Sequence, residues 1–285
     1  MLLKEFWTNR YRSSLEGLRE VTITGYESAW RTHIVKLGDC ELTDLDVERI
    51  ETWLASIPTR GGAAKAWGVL RAMLRKAVRW GLLDVDVTML VTPPRKPDYR
   101  PDVLDASQGK ALLQGFFGHE LEAWLICSVT LGLRTEEAHG LELGDINLVT
   151  GEARIVRCVQ WVNGRELTVP PKTPLSRRAV VLPRFAVNRL RQIKRKGRLV
   201  GTLTPPQVDR KYRSWCRKQN LPLVPRRNLR HSWATTALAA GVDVTVVSRA
   251  LGHTSIQTTA RYYLRPDLSV LKDAQKVWEK VLLNA

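Results

Sequence analysis

Apolar and polar residues recur at helical spacing through most of residues 1–90. Asp46 can cap a helix, and the apolar positions that follow it, three or four residues apart, are Ile50, Trp53, Leu54 and Ile57. This spacing places the apolar side chains on one helix face. We therefore expect residues 1–90 to form an all-helical domain.

A further helix is predicted from about Ala63 to Trp80. Its apolar residues on one side include Leu70, Met73 and Ala77. The other side carries a basic stripe with a spacing of four residues, formed by Arg71, Arg75 and Arg79. A solvated face would show the same pattern, and the alternative is a helix that contacts the backbone or a groove of a nucleic acid.

Residues 91–101 contain four prolines in eleven positions. Proline removes backbone donors and disfavours helix, so this segment is predicted to be a semi-rigid linker. We expect a domain boundary here, with a helical domain over 1–90 and a second domain over 102–285. The basic side chains of Arg95 and Lys96 could contact phosphates from the linker.

The second domain is predicted to be mostly helical around one small sheet. The apolar run from Leu121 to Leu133 is interrupted by Glu122 and is too short to cross a bilayer, which favours a core helix. Residues 152–182 alternate and are rich in β-formers, and Asn163-Gly164 is a strong hairpin signal. The expected fold is therefore mostly α with a small three-stranded antiparallel sheet, an all-helical domain preceding a mixed α+β domain.

Charge indicates a polyanionic partner. The chain has a formal net charge of +17 and 44% hydrophobic residues, which are enough for a sizeable core. Most of the positive charge lies beyond residue 100, concentrated in 151–230, where phosphates would supply counter-ions. The four cysteines show no paired spacing, which argues against a disulfide framework or a zinc site and for a reducing cytosol. The N-terminus lacks the pattern of a signal peptide.

Three segments carry the most specific information: Thr130–Glu137, Asn228–His231, and Leu251–Thr259 followed by Tyr262. Together they resemble the tyrosine recombinase (phage integrase) family, in a short form without the additional amino-terminal domain that binds arm sites in larger integrases. The resemblance implies an enzyme that cuts and rejoins DNA through a covalent phosphotyrosine. It covers nearly the whole chain, by motifs in the second domain and by position and pattern in the first.

The resemblance implies a role for each motif residue. Arg134 and Arg230 would be the catalytic arginines. Arginine suits this role because its planar guanidinium can bind a phosphate through two hydrogen bonds at once. Lys172 would protonate the leaving 5′ oxygen, His253 would donate to the scissile phosphate, and Tyr262 would be the nucleophile. The nine-residue spacing from His253 selects Tyr262 over Tyr263. The remaining expected residues are Glu137 and His231, which would brace the site, and Arg177 and Arg178, which would join the DNA-binding set.

One position departs from the family. Arg227 stands three residues before Arg230, where the family has a histidine that accepts the tyrosine's proton. Arginine cannot accept a proton at ordinary pH. The proton would then go to solvent or to phosphate, or Arg227 would act only as a further cation, so the general base is open while the overall mechanism is retained.

The resemblance also implies partners. Two domains would clamp double-stranded DNA at specific core-type sites, without metal or nucleotide cofactor, and four protomers would assemble on paired sites. An accessory DNA-bending protein is possible, no membrane is expected, and the location would be the cytoplasm or nucleoid of a bacterial host. Residues 268–283 resemble the family's tail helix, which could dock on a neighbouring protomer or on its own domain.

Three alternatives stay open at this point. One is a DNA-binding factor of the same fold without strand transfer, which Arg227 would mark. A second is a type IB topoisomerase, which shares the chemistry but nicks one strand as a monomer. A third is a basic RNA-binding protein, although the chain has no RNA-reading signature.

Overall fold

The computed structural model describes residues 1–95, 99–263 and 275. The chain divides into two compact units, one of Met1–Arg100 with Val162–Gly164 and one of Pro101–Trp161 with Arg165–Ala285. Lys96 and, apart from residue 275, the predicted tail helix over 268–283 lie outside the described residues. In the described part of the chain, no helix is long and apolar enough to cross a membrane.

The first unit is helical. Its α-helices are α1 (Leu3–Phe6), α2 (Glu20–Thr32), α3 (Val47–Ala55) and α4 (Arg60–Arg79). Helix α3 begins where the Asp46 carboxylate accepts a hydrogen bond from the backbone N–H of Arg49 at 2.8 Å, which confirms the predicted cap.

Helix α4 contributes a large share of the buried residues in the core of the first unit. Leu70, Met73 and Ala77 are fully buried, as their spacing predicts. The basic stripe on its other side is exposed to solvent along its length, at Arg71, Arg75 and Arg79. The helix is therefore amphipathic, with a continuous apolar face and a cationic outer face.

The second unit packs helices around a fully buried one. Its helices are α5 (Ala106–Gly115), α6 (Glu122–Thr130), α7 (Thr135–Gly140), α8 (Arg184–Leu190), α9 (Pro205–Lys218), α10 (Arg226–Ala239), α11 (Val244–Leu251) and α12 (Ile256–Tyr263). Helix α6 is buried on all sides from Glu122 to Ser128, which confirms the predicted core helix. Its one charged residue, Glu122, is paired with Arg189 of α8.

The strands form two small sheets where one of three strands was predicted. They are β1 (Glu152–Ile155), β2 (Cys158–Val162), β3 (Arg165–Val169) and β4 (Arg178–Val181). In the described residues β1 pairs with β4, antiparallel, and β2 pairs with β3. The fold class, mostly α with small antiparallel sheets, is as expected, but the strand run predicted over 153–158 is divided between two sheets.

Arg157 explains the division of that run. Its guanidinium donates to both carboxylate oxygens of Asp145, at 2.6 and 3.2 Å, and to the carbonyl of Gly140 at 3.3 Å. These bonds hold Arg157 at the break between β1 and β2. The predicted turn is present beyond this point, because Asn163 and Gly164 both have positive φ, 50° and 78°, as a tight hairpin requires.

Candidate active site

Arg134 stands at the junction between α6 and α7. Its Nη1 donates to Oε1 of Glu137 at 2.7 Å, and its backbone N–H donates to Oε2 of the same residue at 2.8 Å. Glu137 is 1% exposed. The carboxylate therefore fixes both the backbone and the guanidinium of Arg134 at the start of α7.

A second arginine shares the same carboxylate. Arg178 donates from Nη1 and Nη2 to the two oxygens of Glu137, at 3.1 and 3.0 Å. Burial alone would raise the pKa of Glu137, but the hydrogen bonds and charges of Arg178 and Arg134 outweigh it and lower the pKa below its usual value. Glu137 is therefore an ionised buried group that serves two cations.

The backbone carbonyl of Gly252 accepts a further hydrogen bond from the Arg134 guanidinium. Nη2 of Arg134 donates to the carbonyl of Gly252 at 3.0 Å. Gly252 ends α11 in the left-handed conformation, with φ of 67°. A Cβ at this position would lie 3.2 Å from the carbonyl oxygen of Leu175, so both the backbone and the available space favour glycine.

Arg230 reaches the same turn from α10. Arg230 is buried. Its Nη1 donates to the carbonyl of Gly132 at 3.0 Å, and its Nη2 donates to Nε2 of His253 at 2.8 Å. Gly132 has φ of 61°, and a Cβ there would lie 2.6 Å from the ring of Trp233. Gly132, two residues before Arg134, thus also holds Arg230.

His253 is neutral and its proton position follows from its neighbours. Arginine only donates, so Nε2 accepts from Arg230, and Nδ1 carries the proton and donates to Oγ1 of Thr259 at 2.8 Å. Burial, together with the positive charges around the ring, of which that of Arg230 is the largest, lowers the pKa of His253 to about 4. His253 therefore connects Arg230 to α12 through one hydrogen bond on each ring nitrogen.

The two arginines converge on one turn. Arg134 binds Gly252 and Arg230 binds His253, which are consecutive residues at the end of α11. Two guanidinium groups brought to neighbouring residues are suited to hold the non-bridging oxygens of a single phosphate. In the described residues no group of three or more His, Cys, Asp or Glu side chains is arranged to hold a metal ion.

Lys172 is an exposed residue of the loop between β3 and β4. Immediately after Lys172 the loop forms a turn, in which Oγ1 of Thr173 and Oγ of Ser176 are 2.8 Å apart. Ser176 is buried, and its Oγ also lies 3.5 Å from Nη1 of Arg134. The predicted acid is thus on a loop whose end abuts the arginine cluster.

Arg227 and His231 are on α10, on either side of Arg230. Arg227 is exposed and His231 is half-buried. Burial and the charges of Arg230 and Arg227 lower the pKa of His231. The charge of Arg227 therefore acts on His231, one of the predicted site residues, and its own role in the site stays a prediction.

Tyr262 lies in the last turn of α12, three residues after Thr259. Residues three or four apart in a helix are neighbours on its surface, so the bond from His253 to Thr259 secures the turn that carries the tyrosine. The side chains of Tyr262 and Tyr263 lie outside the described part. The choice of Tyr262 as nucleophile stays a prediction.

The predicted DNA-binding residues divide into two groups. Exposed side chains are found at Arg71, Arg75, Arg79, Arg95 and Arg177. Arg178 differs, because its guanidinium is turned inward to Glu137, and its assignment to the DNA-binding set stays a prediction. Several arginines of the basic region are likewise engaged by the protein: Arg191 with the Leu148 carbonyl, and Arg198 with Glu166.

One partly buried polar cluster was not found from the sequence. Arg226 donates to Oδ1 of Asp209 at 2.8 Å and to Nε2 of His139 at 3.0 Å, and Nδ1 of His139 donates to the Thr135 carbonyl at 2.7 Å. Burial is the main cause that lowers the pKa of His139 to about 4. The cluster joins α7, α9 and α10. The available signal for this cluster in the sequence was the i, i+4 spacing of Arg226 and Arg230. In the structure each of these arginines is bonded to a neutral histidine.

Comparisons with known proteins bear on this site. The phage integrase family matches residues 104–268. Tyrosine recombinase XerD of Mycobacterium leprae (strain TN) is 30% identical over 226 residues, which cover 71% of this chain and 69% of that protein. Tyrosine recombinase XerC of Azotobacter vinelandii (strain DJ / ATCC BAA-1303) is 28% identical over 254 residues, 85% of this chain and 84% of that protein.

Solved structures share the fold. An integrase of the Tn1549 transposon in complex with a circular intermediate DNA has a TM-score of 0.81 at 15% identity, covering 98% of this chain and 99% of that one. A lambda integrase dimer bound to a COC′ core site has a TM-score of 0.71 at 17% identity, covering 92% and 95%. The family match spans more than half of the chain, and the XerD relative covers more than two thirds of it. The chain therefore belongs to the phage integrase family and is a tyrosine recombinase, a DNA strand transferase.

Proposed function

We propose that this protein is a site-specific recombinase that cleaves and rejoins double-stranded DNA through a 3′-phosphotyrosyl intermediate on Tyr262. The observation that carries the proposal is the convergence of Arg134 and Arg230 on Gly252 and His253. The same turn leads directly into α12, the helix that bears Tyr262.

The proposed cleavage step is a direct displacement. The phenol oxygen of Tyr262 forms a bond to phosphorus, and the bond from phosphorus to the 5′ oxygen breaks. Lys172 gives its proton to that oxygen, and the phenol proton passes to water. The phosphodiester is replaced by a phosphotyrosyl ester of similar energy, so rejoining is the reverse reaction with a 5′ hydroxyl of the new partner.

Arg134 and Arg230 are held by acceptors that a phosphate can replace. One nitrogen of each donates to a neutral acceptor, the Gly252 carbonyl or the imidazole of His253. Hydrogen bonds to an anion are about twice as strong as those to neutral groups, so a scissile phosphate competes favourably for these donors. Glu137 keeps its charged bond to Arg134 throughout and holds the guanidinium in orientation.

His253 is proposed to orient Arg230 before the phosphate binds. The resemblance assigns it a bond to the phosphate, but the single N–H of the neutral ring is directed to Thr259. Arg227 is proposed to add positive charge at the edge of the site. With these two assignments, no histidine is assigned to accept the proton of Tyr262. The positive charges around the site would instead favour its phenolate form.

The domains and partners follow the same proposal. We propose that residues 1–90 bind core-type DNA through the exposed stripe on α4, that residues 91–101 link the two domains across the duplex, and that 102–285 form the catalytic domain. Four protomers would assemble on paired sites, with an accessory DNA-bending protein as a further possible partner, in the cytoplasm of a bacterial host. Exposure of Arg71, Arg75 and Arg79 supports the DNA-binding assignment.

The test is single-turnover cleavage of a suicide substrate at saturating protein. Arg134→Ala or Arg230→Ala should slow formation of the covalent adduct by on the order of 100-fold or more, as loss of one oxyanion donor does. Arg177→Ala should mainly weaken binding and reduce its salt dependence by about one unit of slope. A wild-type protein that binds specifically without forming an adduct would instead be a non-cleaving DNA-binding factor. Cleavage and rejoining by a monomer, without assembly on paired sites, would indicate a topoisomerase-like enzyme.

A further inference from the structure

Arg178 is a buried cation that opens strand β4. Its side chain is only 7% exposed, and its guanidinium makes four hydrogen bonds, three of them to distant segments of the second unit. Two reach Glu137, a third runs from Nε to the Ala250 carbonyl at 2.5 Å, and the fourth from Nη1 to the Ser176 carbonyl at 3.2 Å. A guanidinium with five donors in a fixed fork can make these bonds at once, and a lysine ammonium cannot.

Each segment that Arg178 contacts is adjacent to a residue of the proposed mechanism. Glu137 holds Arg134. Ala250 lies in the last turn of α11, three residues before His253. Ser176 closes the turn that begins one residue after Lys172. Arg178 therefore fixes the relative positions of the arginine site and the loop that carries the proposed acid.

The turn after Lys172 transmits this constraint. The backbone N–H of Ser176 donates to the Thr173 carbonyl at 3.0 Å, and the two hydroxyl groups are 2.8 Å apart. Ser176 is 3% exposed, whereas Lys172 is exposed. The end of the loop is thus fixed through Thr173 while the lysine side chain projects from it.

We propose that Arg178 is a positioning residue that fixes the loop bearing Lys172 against Arg134, so that the lysine reaches the leaving 5′ oxygen. The inference rests on the proposed role of Lys172 as the acid. The competing explanation is that Arg178 only neutralises Glu137 and stabilises the fold. The two differ in whether its effect on cleavage passes through protonation of the leaving group.

A change of leaving group separates the two explanations. Two suicide substrates are compared, one with an ordinary scissile phosphate and one in which sulfur replaces the bridging 5′ oxygen. A thiol is a far stronger acid than an alcohol, so the sulfur leaves as a thiolate without a proton from the enzyme. Defects in general acid catalysis disappear on the sulfur substrate, whereas defects in folding or in phosphate binding remain.

The primary variant is Arg178→Lys, which keeps a positive charge beside Glu137 but loses the fork. It should cleave the oxygen substrate on the order of 100-fold more slowly than wild type, within the range of general acid effects. On the sulfur substrate its rate should lie within about threefold of wild type, and Lys172→Ala should show the same pattern. Arg154→Lys is the matched control, because Arg154 is an exposed arginine on the paired strand β1, and it should cleave both substrates at the wild-type rate.

Thr173→Val provides a second route if Arg178→Lys does not fold. It removes the hydroxyl that bonds Ser176 and leaves Arg178 and Glu137 unchanged, and it should also be slower on oxygen and be restored on sulfur. Equal defects on both substrates, or wild-type cleavage of the oxygen substrate by both variants, would overturn the positioning role. If Lys172→Ala is not restored by sulfur, the assignment of the acid itself fails, and the inference fails with it.

Discussion

Glu137→Gln should destabilise the second unit strongly. The carboxylate accepts four hydrogen bonds, two on each oxygen, from the Arg134 backbone and guanidinium and from Arg178. Glutamine replaces one oxygen by an NH₂ group, so in either orientation two of these donors face another donor. The substitution also removes the negative charge that compensates both arginines.

The magnitude follows from the burial of the group. Removing one partner of a buried ion pair typically costs about 3–5 kcal/mol, and Glu137 is 1% exposed. We expect a loss of about that size in the free energy of unfolding, measured by urea denaturation at pH 7. The matched control is Glu136→Gln, because Glu136 is the adjacent, half-buried carboxylate, and it should change the free energy by less than about 0.5 kcal/mol.

Acidification gives an independent check. The pKa of Glu137 is lowered in the folded protein, so its contribution is present above the ordinary carboxyl pKa and is lost as pH falls through the folded pKa. The difference between wild type and Glu137→Gln should therefore narrow below a pH of about 4. A Glu137→Gln protein as stable as Glu136→Gln at pH 7 would refute the reasoning, because it would mean that the carboxylate does not hold the two arginines.

Three further predictions test other parts of the site. Gly252→Ala should lower the free energy of unfolding by about 1–2 kcal/mol because of its positive φ. It should also slow cleavage, because relief of the strained φ and of the close contact with Leu175 shifts the backbone carbonyl to which Arg134 donates. An unchanged urea midpoint and an unchanged cleavage rate would contradict this. Between about pH 6.5 and 4, His139 alone should lower the free energy of unfolding by on the order of 3 kcal/mol, because its imidazole takes up a proton at a higher pH in the unfolded state than in the folded one. Urea titrations of His139→Gln should show a shallower fall in stability over this pH range. Arg227→His should retain cleavage and Arg227→Ala should be impaired, with no rate limb near a pH of about 6.5 assignable to position 227 in the wild type; an unimpaired alanine variant would place Arg227 outside the site.

Local patterns in the sequence predicted local structure well. The Asp46 cap, the apolar face of α4 and the Asn163-Gly164 turn each depend on residues close together in the chain, so their spacing is sufficient. The convergence of Arg134 and Arg230 was implied only by the family resemblance. Their bonds to Gly252 and His253 join residues far apart in the sequence, which no local pattern reveals.

Long-range ion pairs account for the differences. Arg178 stands in a basic run that indicates a surface, yet it is buried because Glu137, 41 positions away, lies beneath it. Arg157 lies at the break in a continuous strand pattern, where its side chain is bonded to Asp145. In both positions a charged side chain is placed by a tertiary partner, and hydrophobic periodicity has no information about such partners.

The central claim is that Tyr262 becomes covalently joined to DNA. The most direct measurement is mass spectrometry of the protein–DNA adduct formed on a suicide substrate, after protease and nuclease digestion, with Tyr262→Phe and Tyr263→Phe proteins in parallel. The proposal predicts a nucleotide on Tyr262, an unchanged adduct in Tyr263→Phe, and no adduct in Tyr262→Phe although its DNA affinity stays within a few fold of wild type. A nucleotide on Tyr263, or an adduct formed by Tyr262→Phe, would contradict it.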